Sequence, residues 1–296
     1  MHGNIEAGIP VLFCFGLMTS SLAVMLIHSA ALNYNLRMIA IDYPGIGEST
    51  YQENRTLEGW AVDVEEFCNE ILGSDTRIRL LGHSLGGLHV LALLSVRRFK
   101  NRISRAVLLS PWVYFEGHEY NPLFITLART MPGFVQSQVI PTVLTSLSSG
   151  SIQLAGWSNP HHTQIQAAKI VTDYGSLQGQ AGNEQMVRLA LSKHEMYLPQ
   201  NLAIPIHIFH GKKDVLVYES AVLELVERLL ERNCQVSFTS VENGDHNSIL
   251  AEANNLNNVL ESIVGITRLA SPSRKPGGIE NIRRSRKVRR RKKDYP

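Results

Sequence analysis

Short apolar runs recur along the chain, most of them followed by a stretch with hydrophobic residues three and four apart. Val11 to Phe15 and Leu36 to Ile41 read as buried strands, with Leu22 to Leu32 as a buried helix between them. Thr56 to Leu72 places Trp60, Val64, Phe67 and Ile71 on one helical face. The strand-like run Ile78 to Leu81 precedes a helical segment, Leu88 to Phe99, and Ala106 to Leu109 gives the next strand. Farther along come a strand at Ile206 to Phe209, a helix at Ala221 to Arg232, a strand at Val236 to Val241 and a closing helix at Ile249 to Ile263. This alternation predicts an α/β fold, a mainly parallel sheet flanked by helices.

The interval from Pro111 to Pro205 lacks strand rhythm and is too long for a connection. It is expected to form a helical cap inserted over the carboxyl edge of the sheet, where open α/β sheets bind ligands. The predicted division is a core at 1–110 and 205–266, a cap at 111–204 and a tail at 267–296. From Ser271 to Pro296 the chain carries 11 Lys and Arg against two acids, although its net charge is only +3. The body is therefore mildly acidic. The tail repels itself and is expected to be disordered, able to contact nucleic acid or an anionic membrane or to direct nuclear import.

Two further features bear on location. Cys14, Cys68 and Cys234 are odd in number and lack metal-ligand spacing, which suits free thiols in a reducing compartment. Ala7 to Asn35 has no Lys, Arg, Asp or Glu, so a signal peptide or membrane helix has to be weighed. No basic residue precedes the run, and Gly16 and Thr19-Ser20-Ser21 interrupt it, so strand, loop and helix are the better parse. The expected location is cytoplasmic, with a nuclear one open through the tail.

The candidate chemistry centres on Gly82-His83-Ser84-Leu85-Gly86-Gly87, between a strand and a helix. A serine on such a turn is forced into a strained conformation that exposes its hydroxyl above the sheet. Gly82 and Gly86 permit close approach of the neighbouring strand and helix. The hydroxyl needs a base, and the base needs an orienting carboxylate. His246 follows the last strand and Asp214 follows the one before, so both loops lie at the same sheet edge as Ser84. Asp245 and Asp173 are the alternatives for the carboxylate.

These pieces resemble the α/β-hydrolase superfamily. The resemblance rests on Pro10 to Gly16, the turn Asp42-Tyr43-Pro44-Gly45-Ile46-Gly47-Glu48-Ser49, the serine elbow, Phe209 to Asp214 and Gly244-Asp245-His246. The Asp-x-Pro-Gly-x-Gly-x-Ser turn is similar to that of the capped esterase and epoxide-hydrolase-like branch. A serine nucleophile implies acyl chemistry rather than epoxide opening or dehalogenation. The resemblance also implies an oxyanion hole made by the backbone N–H groups of Leu85 and Leu17. Two departures stand out. Phe15 replaces the usual histidine before Gly16. Only ten residues precede Val11, so the family's leading strand pair is expected to be missing, leaving a shortened sheet with a bare edge.

The expected function is a serine hydrolase that cleaves a small or medium apolar ester through an acyl-enzyme, with no metal and no organic cofactor. A non-catalytic ligand- or partner-binding protein of the same fold, and transfer of the acyl group to an acceptor other than water, are the other readings. Trp112, Tyr114, Phe115 and Trp157, with Phe124 and Phe134, are candidates for an apolar substrate pocket. His161-His162 reads as an exposed loop.

Overall fold

A computed structural model describes residues 1–96, 99–115, 125–126, 162–192 and 197–266. The apolar runs become one seven-stranded sheet in the order β1-β3-β2-β4-β5-β6-β7. β2 (Ile9–Cys14), β3 (Leu36–Ile39), β4 (Ile78–His83), β5 (Ile103–Leu109), β6 (Pro205–Gly211) and β7 (Gln235–Val241) pair in parallel. Leu12 sits opposite Leu80, Leu81 opposite Val107, and Leu108 opposite Ile208. Helices on both faces remove these strands from water, which is why their sequences are apolar runs rather than alternations. At the border, β7 keeps Gln235 and Ser237 exposed.

The amino-terminal edge differs from the sequence expectation. β1, only His2–Gly3, pairs antiparallel with β3, setting Gly3 opposite Arg37. One short strand thus covers part of the edge expected to be bare. Gly3 takes φ +82°, and a Cβ there would lie 2.1 Å from the Leu36 carbonyl oxygen, so the close pairing requires glycine.

The helices follow the predicted periodicity, with local corrections. α1 (His28–Asn33) is preceded by a 3-10 segment at Ser21–Ile27, which together replace the single helix expected there. α2 (Leu57–Leu72) buries Trp60, Ala61, Val64 and Cys68, and the Thr56 hydroxyl caps it by accepting from the Gly59 amide at 3.0 Å. α3 (Gly86–Ser95) begins earlier than its apolar run suggests and is buried over all of Gly86 to Leu94. α4 (His162–Gly175) and α5 (Ala181–Ala190) lie between β5 and β6, and α6 (Glu219–Glu231) joins β6 to β7. The closing helix is two pieces, α7 (Ser248–Ala251) and α8 (Ala253–Val264). Glu252 separates them in an extended conformation and caps the second piece, its carbonyl accepting from the Leu256 amide. Met1–Gly265 make one compact unit, and the basic stretch from residue 267 lies outside the described residues. Among the described residues no helix is long and apolar enough to cross a membrane.

From β2 the chain steps to β3 on one side, and later continues from β4 to β5 on the other. The order reverses between β2 and β4, and their carboxyl ends therefore flank a crevice of the kind where doubly wound sheets bind ligands. The packing there is close. A Cβ on Gly86 would lie 2.0 Å from the Cys14 carbonyl oxygen, an impossible contact with backbone. Gly86→Ala is expected to destabilise the fold by about 2 kcal/mol or more, read as a lowered urea midpoint.

Candidate active site

Ser84 directly follows β4 and takes φ +54°, a left-handed conformation unusual for a residue with a Cβ. Its neighbours fix that conformation. The Ser84 amide donates to the Leu109 carbonyl at 2.9 Å, while its carbonyl accepts from the amides of Gly87 and Trp112 at 2.9 and 2.8 Å. The side chain faces a cavity of about 290 Å³, lined also by Leu17, Leu85, Trp112 and His246. Most of the remaining wall is apolar, supplied by residues such as Phe13, Met18, Ile27 and Val171.

His246 and Asp214 meet, although 32 residues separate them. Nδ1 of His246 lies 2.7 Å from Oδ2 of Asp214, and both side chains are buried. The other carboxylate oxygen accepts from the amides of Leu216 and Val217 at 2.9 and 3.0 Å. Burial by itself would raise the Asp214 carboxyl. The charge and hydrogen bond of His246, with His210 and the Val217 amide, bring it below its ordinary value. Since a carboxylate only accepts, Nδ1 carries the proton of this bond, and Nε2 is the nitrogen left for a second partner. The two alternative carboxylates are engaged elsewhere. Asp173 pairs with Lys169 on the exposed face of α4. Asp245 accepts from the amides of Asn247 and Ser248, while its own amide donates to the Ser248 hydroxyl, a reciprocal turn that sets the loop holding His246.

His83 was not singled out by the sequence. Its Nε2 donates to the His246 carbonyl at 2.9 Å, and the two rings lie 5.1 Å apart. The residue before Ser84 is thereby tied to the loop of His246. Burial, and then the neighbouring charge of His246, push the His83 ring down to about 4. The only available signal was its place beside Ser84, because the partner is 163 residues away.

The expected pocket aromatics fare unevenly. Trp112 lines the cavity, its indole N–H held by the Ala190 carbonyl at 2.8 Å. Tyr114 and Phe115 do not line it. Tyr114 packs half-buried against the core, and Phe115 is buried with the Arg228 guanidinium 4.4 Å from its ring centre. Trp157, Phe124, Phe134 and His161 lie outside the described residues, and His162 opens α4. Cys14, Cys68 and Cys234 are free and buried. Among the described residues no cluster of three His, Cys, Asp or Glu is placed to hold a metal ion.

The sequence profile described as the alpha/beta hydrolase fold matches residues 9–253, and the chain belongs to that family. Solved structures place it among known relatives of the fold. An esterase from Exiguobacterium antarcticum superposes with a TM-score of 0.70 at 19% identity, over 90% of this chain and 100% of that one. An esterase from a Rhodococcus species gives 0.64 at 21% identity, over 90% and 93%. A bromoperoxidase from Bacillus anthracis gives 0.68 at 18% identity, over 89% and 93%. No curated protein matches the chain by sequence. Different chemistries on one scaffold mean that activity has to be argued from the site.

Two histidines, buried His83 and half-buried His207, make the fold acid-sensitive. On β6, His207 bonds Ser262 through Nδ1 and Thr239 through Nε2, both at 2.8 Å. Burial, and then the Arg105 charge, push it down to about 4. An unfolded histidine takes up its proton near 6.5, where His83 and His207 are still neutral in the fold. Stability is therefore full above that pH and is lost as the pH falls from 6.5 towards 4. The urea midpoint is expected to drop between pH 7 and pH 4.5, and less so in His207→Gln.

Proposed function

We propose that the protein is a serine hydrolase acting on a small or medium apolar ester through an acyl-enzyme. The observation that carries this reading is the left-handed Ser84 sharing one apolar cavity with His246, whose other nitrogen is bonded to buried Asp214. Each group has a distinct task. His246 Nε2 takes the Ser84 proton as Oγ bonds to the substrate carbonyl carbon. It returns that proton to the leaving alkoxide as the ester C–O bond breaks. Water then attacks the acyl-enzyme, giving one proton to His246. The acid departs as Ser84 Oγ is released and reprotonated. Asp214 keeps Nδ1 protonated and stabilises the imidazolium that forms twice per turnover.

The developing oxyanion needs donors that are not already spent. Among the described residues, neither the Leu17 nor the Leu85 amide donates to a protein acceptor, and both residues line the cavity beside Ser84. Donors so placed contribute several kcal/mol in comparable sites. The character of the wall supports the proposed substrate class. Among the described residues, Lys169, paired with Asp173, is the one lysine or arginine in the lining, and apolar side chains dominate the rest. A charged acyl group would lose its hydration there without compensation.

Two variants test the assignment. A fluorophosphonate probe is expected to label the wild type and not Ser84→Ala, with circular dichroism unchanged. A folded wild type that stays unlabelled would overturn it and leave a ligand-binding protein of this fold. Asp214→Asn is expected to lower kcat on p-nitrophenyl butyrate by at least about 1000-fold, because the amide no longer stabilises the His246 proton.

A further inference from the structure

The amides of Leu17 and Leu85, two residues that line the cavity with Ser84, are oriented by different means. An N–H lies in the same rigid plane as the preceding carbonyl, so whatever grips that carbonyl aims the N–H. The Leu85 amide shares its plane with the Ser84 carbonyl, which the backbone amides of Gly87 and Trp112 hold at 2.9 and 2.8 Å. The Leu17 amide shares its plane with the Gly16 carbonyl, and there the grip is a side chain. Thr19 Oγ1 donates to the Gly16 oxygen at 2.9 Å. Met18 makes that return possible by turning left-handed at φ +59°.

The preceding plane is held in the same way. The Tyr43 hydroxyl donates to the Phe15 carbonyl at 3.0 Å. Tyr43 is fully buried, its ring stacked 4.1 Å from His89 and tilted 48° against Phe15 at 4.4 Å, with the Arg55 guanidinium carbon 5.2 Å away. Burial raises its phenol well above the ordinary value, so the group remains a donor at every working pH. Farther on, the Ser20 hydroxyl donates to the Val171 carbonyl at 2.8 Å. The Ser21 amide and hydroxyl donate to Asp42 at 2.6 and 2.8 Å. The loop is anchored from Phe15 to Ser21, but among the described residues only Thr19 and Tyr43 grip the carbonyls of Gly16 and Phe15.

We infer that Thr19 is a positioning residue for the oxyanion, aiming the Leu17 N–H at the substrate carbonyl through the Gly16–Leu17 plane, with Tyr43 fixing the plane before it. The inference rests on Ser84 being the nucleophile. It gives this chain a side-chain means of shaping the loop where phenylalanine stands at position 15. Gly16 lies close against the nucleophile, since a Cβ there would lie 3.1 Å from the Ser84 Cβ. Loss of the Thr19 hydroxyl frees the plane to rotate, and the N–H then misses an atom that must be met within a few tenths of an ångström.

The test compares Thr19→Val, which keeps the shape, with Thr19→Ser, which keeps the hydroxyl, and with Tyr43→Phe. Each is measured well below its own melting temperature. The expected result is a fall of about 10- to 100-fold in the rate of fluorophosphonate labelling for Thr19→Val. On p-nitrophenyl butyrate the same fall is expected in kcat with KM nearly unchanged, because ground-state binding does not use the oxyanion. Thr19→Ser is expected to recover most of the rate, and Tyr43→Phe to fall in kcat by a smaller factor. Two results would overturn the inference while leaving the nucleophile in place: a Thr19→Val enzyme as fast as wild type, or serine and valine variants that fall alike. A wild type that never labels would remove the nucleophile, and this inference with it.

Discussion

Helix α3 meets strand β2 at a contact without a side chain, the Gly86 backbone against the Cys14 carbonyl, and most of the site's geometry descends from it. With no Cβ between them, the first turn of the helix lies directly over the end of the strand. The chain entering the helix must turn sharply, which is where Ser84 takes its left-handed conformation. The chain leaving β2 must diverge at once, which starts the loop from Phe15 to Ser21. A serine and an unpaired amide from distant parts of the sequence thus come to border one cavity. The strain at Ser84 persists because three backbone hydrogen bonds over-determine it.

The electrostatics of the site depend on one buried carboxylate among rings that burial keeps neutral. His210 lies with its Nδ1 3.9 Å from the Asp214 carboxylate, and burial lowers its ring below the ordinary value. His83 spends its proton on the His246 carbonyl. Neither competes as a cation for Asp214, so the field of that carboxylate falls chiefly on the His246 Nδ1 proton. A buried anion is costly unless hydrogen-bonded, and the two amides on its other oxygen meet that requirement.

What the sequence revealed was what local order can encode. The strands were legible because burial on both faces makes each an uninterrupted apolar run. The left-handed turn at Ser84 and the meeting of Asp214 with His246 were legible because each residue sits at a fixed offset from such a run. What was not legible involves partners supplied by distant chain. Tyr114 and Phe115 have the composition of pocket residues, but Phe115 meets Arg228 on α6 and Tyr114 packs against the core. The break at Glu252 has no glycine or proline to announce it. The single helix expected from Leu22 is disturbed where Asp42 takes the Ser21 amide and hydroxyl. The strand His2–Gly3 is too short to carry any period at all.

The tie between His83 and the His246 carbonyl spans 163 residues, which gives the chain a particular history during synthesis. Ribosomes deliver β2 to β5 and the serine turn well before β6 and β7 exist. In that interval the edge of β5 that will pair with Ala106 to Leu109's partners on β6 stands open, a template for any extended chain nearby. On the proposed mechanism the nascent protein lacks the base and its carboxylate while that edge is open, and both conditions end with the same event, the docking of its last two strands. On that mechanism turnover in a cell extract would count finished molecules alone, whereas antibodies against the amino-terminal half would count the stalled ones as well.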